Sequence, residues 1–169
     1  MLYLPGYSGG DALADILFGD VNPSGKLPIS YPKYPHSLFN YYRKTFDDYN
    51  PLFEFGFGLS YTTFNYSNLS VSSDNEVINV SVTVTNTGNV SGKEAVQLYT
   101  SDLVASSAPD AKRLRKFKKV ELESNESITL EFQLTPLDLS FINEDNKRVT
   151  EKGDFEIQIA DLKARFALT

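Results

Sequence analysis

Asp47 and Asp48 are adjacent carboxylates in a stretch that also holds Tyr41, Tyr42, Arg43, Phe46 and Tyr49. Aromatic rings with polar neighbours can stack on sugars. Tyr41, Tyr42, Asp47 and Asp48 are therefore the candidate substrate-binding residues. The same residues also describe a connector whose aromatics pack between two modules, and that is the preferred reading. The sequence holds 22 Asp and Glu, too many for their mere presence to single out a catalytic pair, and none is assigned.

Other chemistry is thin. His36 is the one histidine and cysteine is absent, so a zinc site is not expected, and neither is any other metal or cofactor. Gly9-Gly10 before an apolar run could suggest a phosphate-binding helix start, but close packing against a neighbouring strand explains two glycines better. Lys112, Arg113, Arg115, Lys116, Lys118 and Lys119 form a basic cluster. In a chain of net charge −6 and pI about 4.8 it reads as a solvated strand that resists edge pairing, not as a nucleic-acid patch. Asn65, Asn68, Asn79, Asn89 and Asn125 each begin an N-x-[ST] triplet; a chain this rich in Ser and Thr produces several by chance, and they read as incidental unless the source is a secreted eukaryotic protein.

The elements that must position such residues follow from periodicity. The 169 residues, 41% hydrophobic and 22% charged, suit one globular domain or one and a half. No apolar run approaches the ~18 residues of a membrane span, so neither membrane nor nucleic acid is an expected partner. Asp11 to Phe18 predicts a short helix with Leu13, Ile16 and Leu17 on one side, Ser8 or Asp11 as cap and Gly19 at C′. Met1 to Leu4 suits the end of a strand. Residues 20–50 are turn-rich and carry little that could form a core.

Ile78, Val80, Val82 and Val84 alternate with Asn79, Ser81, Thr83 and Thr85, a period of two that predicts a half-buried strand. Turn residues Asn86 to Asn89 follow, then Lys93 to Thr100, which suggests an antiparallel pair of these two runs. Residues 128–134, 155–159 and 166–168 repeat the alternation, with turn signals about every ten residues. Such spacing argues for an antiparallel sandwich. Leu114, Val120 and Leu122 share a parity that Phe117 breaks, which predicts a bulge or change of sheet there.

The stretches GGDALADILFGDVNPSGKLPISYP and FEFGFGLSYTTFNYSNL resemble the C-terminal region of glycoside hydrolase family 3, the β-glucosidases and β-xylosidases. Phe18 to Pro28, FGDVNPSGKLP, is the most specific part. VSVTVTNTGNVSGKEAVQLY, RLRKFKKVEL and LDLSFINEDNKRVTEKGDFEIQIA continue in the order of that family's terminal domain. The resemblance implies a mainly β fold: an immunoglobulin/fibronectin type III-like antiparallel β-sandwich after a short partial α/β segment. It divides the chain into 1–63, the tail of an α/β domain plus connector, and 64–169, the sandwich.

The family's nucleophile is an Asp in an SDW-type motif, which this sequence lacks. Its acid/base lies upstream of the turn that Pro5 to Gly10 would represent. The resemblance thus places both catalytic carboxylates outside these residues. The expected partners are upstream catalytic domains and, for the whole enzyme, a β-linked oligosaccharide or glycoside. Secretion or a periplasmic location would suit such a parent. Either self-association of this piece through the unpartnered helix or fast amide exchange in residues 1 to about 50 is also expected. A non-catalytic carbohydrate-binding or interaction module is the alternative.

Overall fold

Nine strands and one α-helix are built in the computed structural model, which describes residues 3–36, 40–42, 50–74, 76–108 and 110–169. Three strands, β1 (Phe64–Ser73), β2 (Ile78–Asn86) and β5 (Ser127–Leu134), form a sheet in the order β1-β2-β5. Four more, β3 (Gly92–Asp102), β4 (Arg113–Leu122), β8 (Gly153–Ile159) and β9 (Leu162–Leu168), form a second sheet in the order β4-β3-β8-β9. A small ladder of β6 (Phe141–Ile142) and β7 (Arg148–Val149) follows a 3-10 turn, Pro136–Leu139. All pairs are antiparallel.

The alternation of β2 is what joins the sheets. Ile78, Val80, Val82 and Val84 are each 1% exposed or less. They share one core with Leu130, Phe132 and Leu134 of β5 and with Val96, Leu98, Phe155, Ile157 and Ile159 of the other sheet. Each such side chain, taken from water, stabilises the fold by about 1.5–3 kcal/mol before entropy is counted. The opposite parity carries hydroxyls that pair across strands, Thr83 with Thr129 at 3.2 Å and Thr85 with Ser127 at 2.7 Å.

Helix α1 spans Gly9–Phe18, two residues earlier than the expected start. Ser8 holds the N-cap position without a side-chain bond; Gly19 ends the helix in the left-handed region (φ 89°), its N–H donating to the Ile16 carbonyl. Gly9 is buried because its missing Cβ makes room for the ring of Pro5, and Gly10 faces open space. No neighbouring strand explains them. Tyr3 and Leu4 form a bend and not a strand; Met1 and Leu2 lie outside the described residues.

Three expectations about pairing and parity change. The runs at 77–88 and 93–100 are strands, but they do not pair with each other. β2 pairs with β1 and β5, whereas β3 pairs with β4 and β8, so the segment between them crosses from one sheet to the other. Residues 64–73, where no separate strand is expected, form β1 as an edge of the three-stranded sheet beside β2. The break in parity near Phe117 is a bulge two residues earlier: Leu98 pairs with Lys116 and Tyr99 with Leu114, leaving Arg115 as the extra residue. Leu114 therefore moves off the side shared by Val120 and Leu122. The basic cluster does lie on an edge, since β4 ends the four-stranded sheet.

Candidate functional site

The residues before β1 are tied to the sandwich by polar side chains at a few fixed points. Asn22 is the first. Its Oδ1 accepts from Ser60 Oγ at 3.0 Å and from the Tyr61 N–H at 2.8 Å, and its Nδ2 donates to the Ser91 carbonyl at 2.9 Å. One amide thus binds the NPSG turn, the entry to β1 and the entry to β3. Within the segment itself Gly58 meets Gly25: a Cβ there would run into the carbonyl oxygen of Gly25, so only glycine lets the two backbones meet. Between these points the Leu27 N–H donates to the Phe57 carbonyl and the Gly56 N–H to the Leu27 carbonyl, each at 2.8 Å.

Lys26 extends the junction into the sandwich. Its ammonium lies 3.1 Å from Glu94 Oε2, and the Tyr66 hydroxyl donates to Glu94 Oε1 at 2.8 Å. Glu94 is only 8% exposed, so its charge needs both partners. Burial, then the Glu94 charge and hydrogen bond, push the Tyr66 hydroxyl far above the usual phenol range. That hydroxyl stays protonated and donating at any physiological pH. Glu94 thus ties Lys26 of the connector to Tyr66 of β1.

Tyr41 and Tyr42 sit on the outside of the four-stranded sheet and are half-buried. The Tyr41 ring stacks on Phe55 with centroids 4.2 Å apart and meets Tyr99 and Tyr42 edge-on at 6.2 and 5.5 Å. Its hydroxyl accepts weakly from the Leu114 N–H at 3.4 Å. Tyr42 accepts the Ala111 N–H at its carbonyl, and its ring lies 6.0 Å below the Arg113 guanidinium. Lys112 stands over the Tyr99 ring at 4.9 Å. Burial, then the neighbouring Tyr41 and Glu54, raise the Tyr99 hydroxyl well above its ordinary value. Asp47 and Asp48 lie outside the described residues. Among the described residues no cluster of three or more His, Asp or Glu could hold a metal.

Residues 1–61 match the glycosyl hydrolase family 3 C-terminal domain, and residues 94–162 match the fibronectin type III-like domain. The chain belongs to glycoside hydrolase family 3. It is 44% identical over 178 residues to the lysosomal β-glucosidase of Dictyostelium discoideum, covering 95% of this chain and 22% of that protein. It is 42% identical over 173 residues to a β-xylosidase of Formosa agariphila, covering 91% of this chain and 24% of that one. A solved β-glucosidase from Erythrobacter marinus superimposes with a TM-score of 0.85 at 37% identity, over 95% of this chain and 24% of the other. The chain thus spans about a quarter of the length of these family 3 relatives and carries their C-terminal region.

The family motif FGDVNPSGKLP acquires a physical meaning from the junction. Asn22 and Lys26 of that motif reach the sandwich, at Ser91 and Glu94, and Gly25 meets Gly58 of the connector. A second residue went unread in the sequence. Asn86 looked like part of a surface turn, yet it is fully buried. Its Oδ1 accepts from Thr62 Oγ1 and the Gly88 N–H, and its Nδ2 donates to the carbonyls of Val90 and Leu122. Those bonds hold the crossing from β2 to β3. The one sequence signal was parity, since Asn86 continues the buried series of Val80, Val82 and Val84.

Proposed function

We propose that this chain buttresses a family 3 enzyme that hydrolyses terminal, non-reducing β-D-glycosides with retention, and that it supplies no catalytic carboxylate itself. The supporting observation is the junction. Asn22 and Lys26 lock the family motif to the sandwich through a hydrogen bond to Ser91 and an ion pair with Glu94, and Gly58 seats the motif on the connector, which stiffens the end of an α/β domain. On this reading residues 1–63 complete that domain and 64–169 form the sandwich that braces it. Tyr41 is committed to packing on Phe55. Tyr42, with Asp47 and Asp48 following in sequence, is the part of the connector proposed to reach the substrate rim. The purified chain is expected to leave an aryl β-glucoside uncleaved. Turnover that survives repurification, and that disappears on changing a carboxylate of this chain, would overturn the proposal.

A further inference from the structure

The outer face of the three-stranded sheet is almost free of charge. Pairing of β1 with β2 and of β2 with β5 sets its side chains in four rows of three. Asn65-Thr85-Ser127 and Ser67-Thr83-Thr129 lie nearest the crossing from β2 to β3; Ser70-Ser81-Glu131 and Ser72-Asn79-Gln133 follow. Glu131 is the one charged member of these twelve, whereas the whole chain is 22% charged. A solvated face of that size ordinarily carries about three charges. This face offers hydroxyls and amides instead.

The last two rows floor a groove of about 700 Å³, within the ~300–1,000 Å³ of small-ligand sites. Gln133 Nε2 donates to Asn79 Oδ1 at 3.0 Å, which leaves the Asn79 amide hydrogens and the Gln133 side-chain oxygen for a ligand. The hydroxyls of Ser70, Ser72 and Ser81 make no hydrogen bond to the described residues. The neighbouring edge strand β4 supplies the wall. Phe117 lines the groove from there and is 68% exposed, an open apolar ring beside a polar floor. Lys118 reaches the β5 edge, where its ammonium donates to the Glu131 carbonyl and stands over the Phe132 ring. Lys116 is paired with Asp138 at 3.1 Å. Two lysines thus stand against Glu131 and Asp138, and the groove has no net charge to attract an ion. The Lys118 bond also occupies the β5 edge at Glu131, which closes it to an added peptide strand.

We propose that this groove binds a neutral, β-linked glycan chain, one sugar lying with its C–H face on Phe117 and its neighbours bonded through their hydroxyls to Ser70, Ser81, Asn79 and Gln133. Sugar rings present both surfaces at once, an apolar face of C–H groups and a rim of hydroxyls that donate and accept. Neither an ion nor a purely apolar ligand matches a floor of neutral hydroxyls and amides beside one aromatic ring. The choice of β-linkage rests on the proposed action of the parent enzyme on β-glycosides; the groove itself does not. Its role is to hold a glycan chain and not to cut it.

The test uses the full 169-residue chain, isotope-labelled, with the amides of Ser70, Ser81 and Gln133 and the Phe117 ring followed by NMR. Cellohexaose and xylohexaose are titrated separately, with maltohexaose as the α-linked control. The expected result is saturable shifts at these residues, with half-saturation on the order of 0.1–1 mM for at least one β-linked hexaose. Phe117→Ala should weaken binding roughly tenfold, and Val104→Ala, which changes an exposed apolar residue outside the groove, should leave it unchanged. The Phe117 ring is exposed, so its loss leaves the sandwich folded, which the unshifted amides of β2 would verify. Linear, non-saturating shifts with both β-linked hexaoses, binding that Phe117→Ala leaves intact, or equal affinity for maltohexaose would overturn the proposal. No hydrolysis is read, so a negative result leaves the buttressing role standing, and turnover by the chain would overturn that role without touching the groove.

Discussion

Asn86 and Val82 test the core from its polar and its apolar side. Asn86→Ala leaves the Val90 and Leu122 carbonyls without their donor and strands Thr62 Oγ1. The cost should be about 3 kcal/mol or more, seen as a lower denaturant midpoint. Thr83→Ala, which removes one exposed hydroxyl pair, should stay within about 0.5 kcal/mol of wild type. Val82→Asp would place a carboxylate where exposure is 0%, among the apolar side chains of the core, a loss of about 3–5 kcal/mol that should unfold the sandwich. Thr83→Asp, one residue along on the hydroxyl side, should melt near wild type. Equal melting of the two Asp variants would contradict the β2 register.

The junction and the 3-10 turn make predictions at the scale of elements. Gly58→Ala forces a methyl into the Gly25 carbonyl, so the backbones at Gly25 and Gly58 must separate and the bonds between Leu27 and residues 56–57 weaken. Limited proteolysis should then cut before Phe64 while β2 and β5 stay protected; an unchanged cleavage pattern would show that the contact is dispensable. The turn at Pro136–Leu139 is closed by Asp138, which accepts from the Thr135 N–H at 2.8 Å and pairs with Lys116. Burial works to raise the Asp138 carboxyl, but the Thr135 bonds and Lys116 outweigh it and the carboxyl sits below its ordinary 3.8. A depressed folded value means stability that is present above pH 3.8 and lost as pH falls through the folded value. The stability gap between wild type and Asp138→Asn should therefore be flat near neutrality and close under acid. A gap that stays constant to the acid limit would remove Asp138 from the linkage.

Over the whole molecule the apolar surface is unevenly spread. Leu4, Tyr7, Leu17 and Phe18 around α1 are 97%, 106%, 67% and 85% exposed, while the sandwich interior is sealed. Ten helical residues cannot hold themselves together in water without a partner surface. Either α1 pairs with another chain or its amides exchange fast, with β2 the slowest-exchanging element. Sedimentation combined with hydrogen exchange separates these outcomes. A strict monomer in which α1 is protected as well as β2 would show that α1 needs nothing further to fold.

Period-two patterning in β2, β5 and β8 was enough to specify a sandwich, because the strand period and the burial of one face are set locally by β-branched and aromatic residues. The helix stop at Gly19 and the edge position of the basic strand were legible for the same reason: backbone chirality and charge act at short range. Pairing was not. Whether β2 meets β3 or crosses away from it depends on which sheet receives the strand, and the Asn86 side chain, reaching Val90 and Leu122, fixes that. The move of Leu114 off the side of Val120 and Leu122 needed the bulge at Arg115, which comes from matching β4 to β3 and not from either strand alone. The Asn22 contact joins residues 38 to 69 positions apart. Its geometry exists only once the sheets are closed, so the motif could be recognised in the sequence while its mechanical role could not.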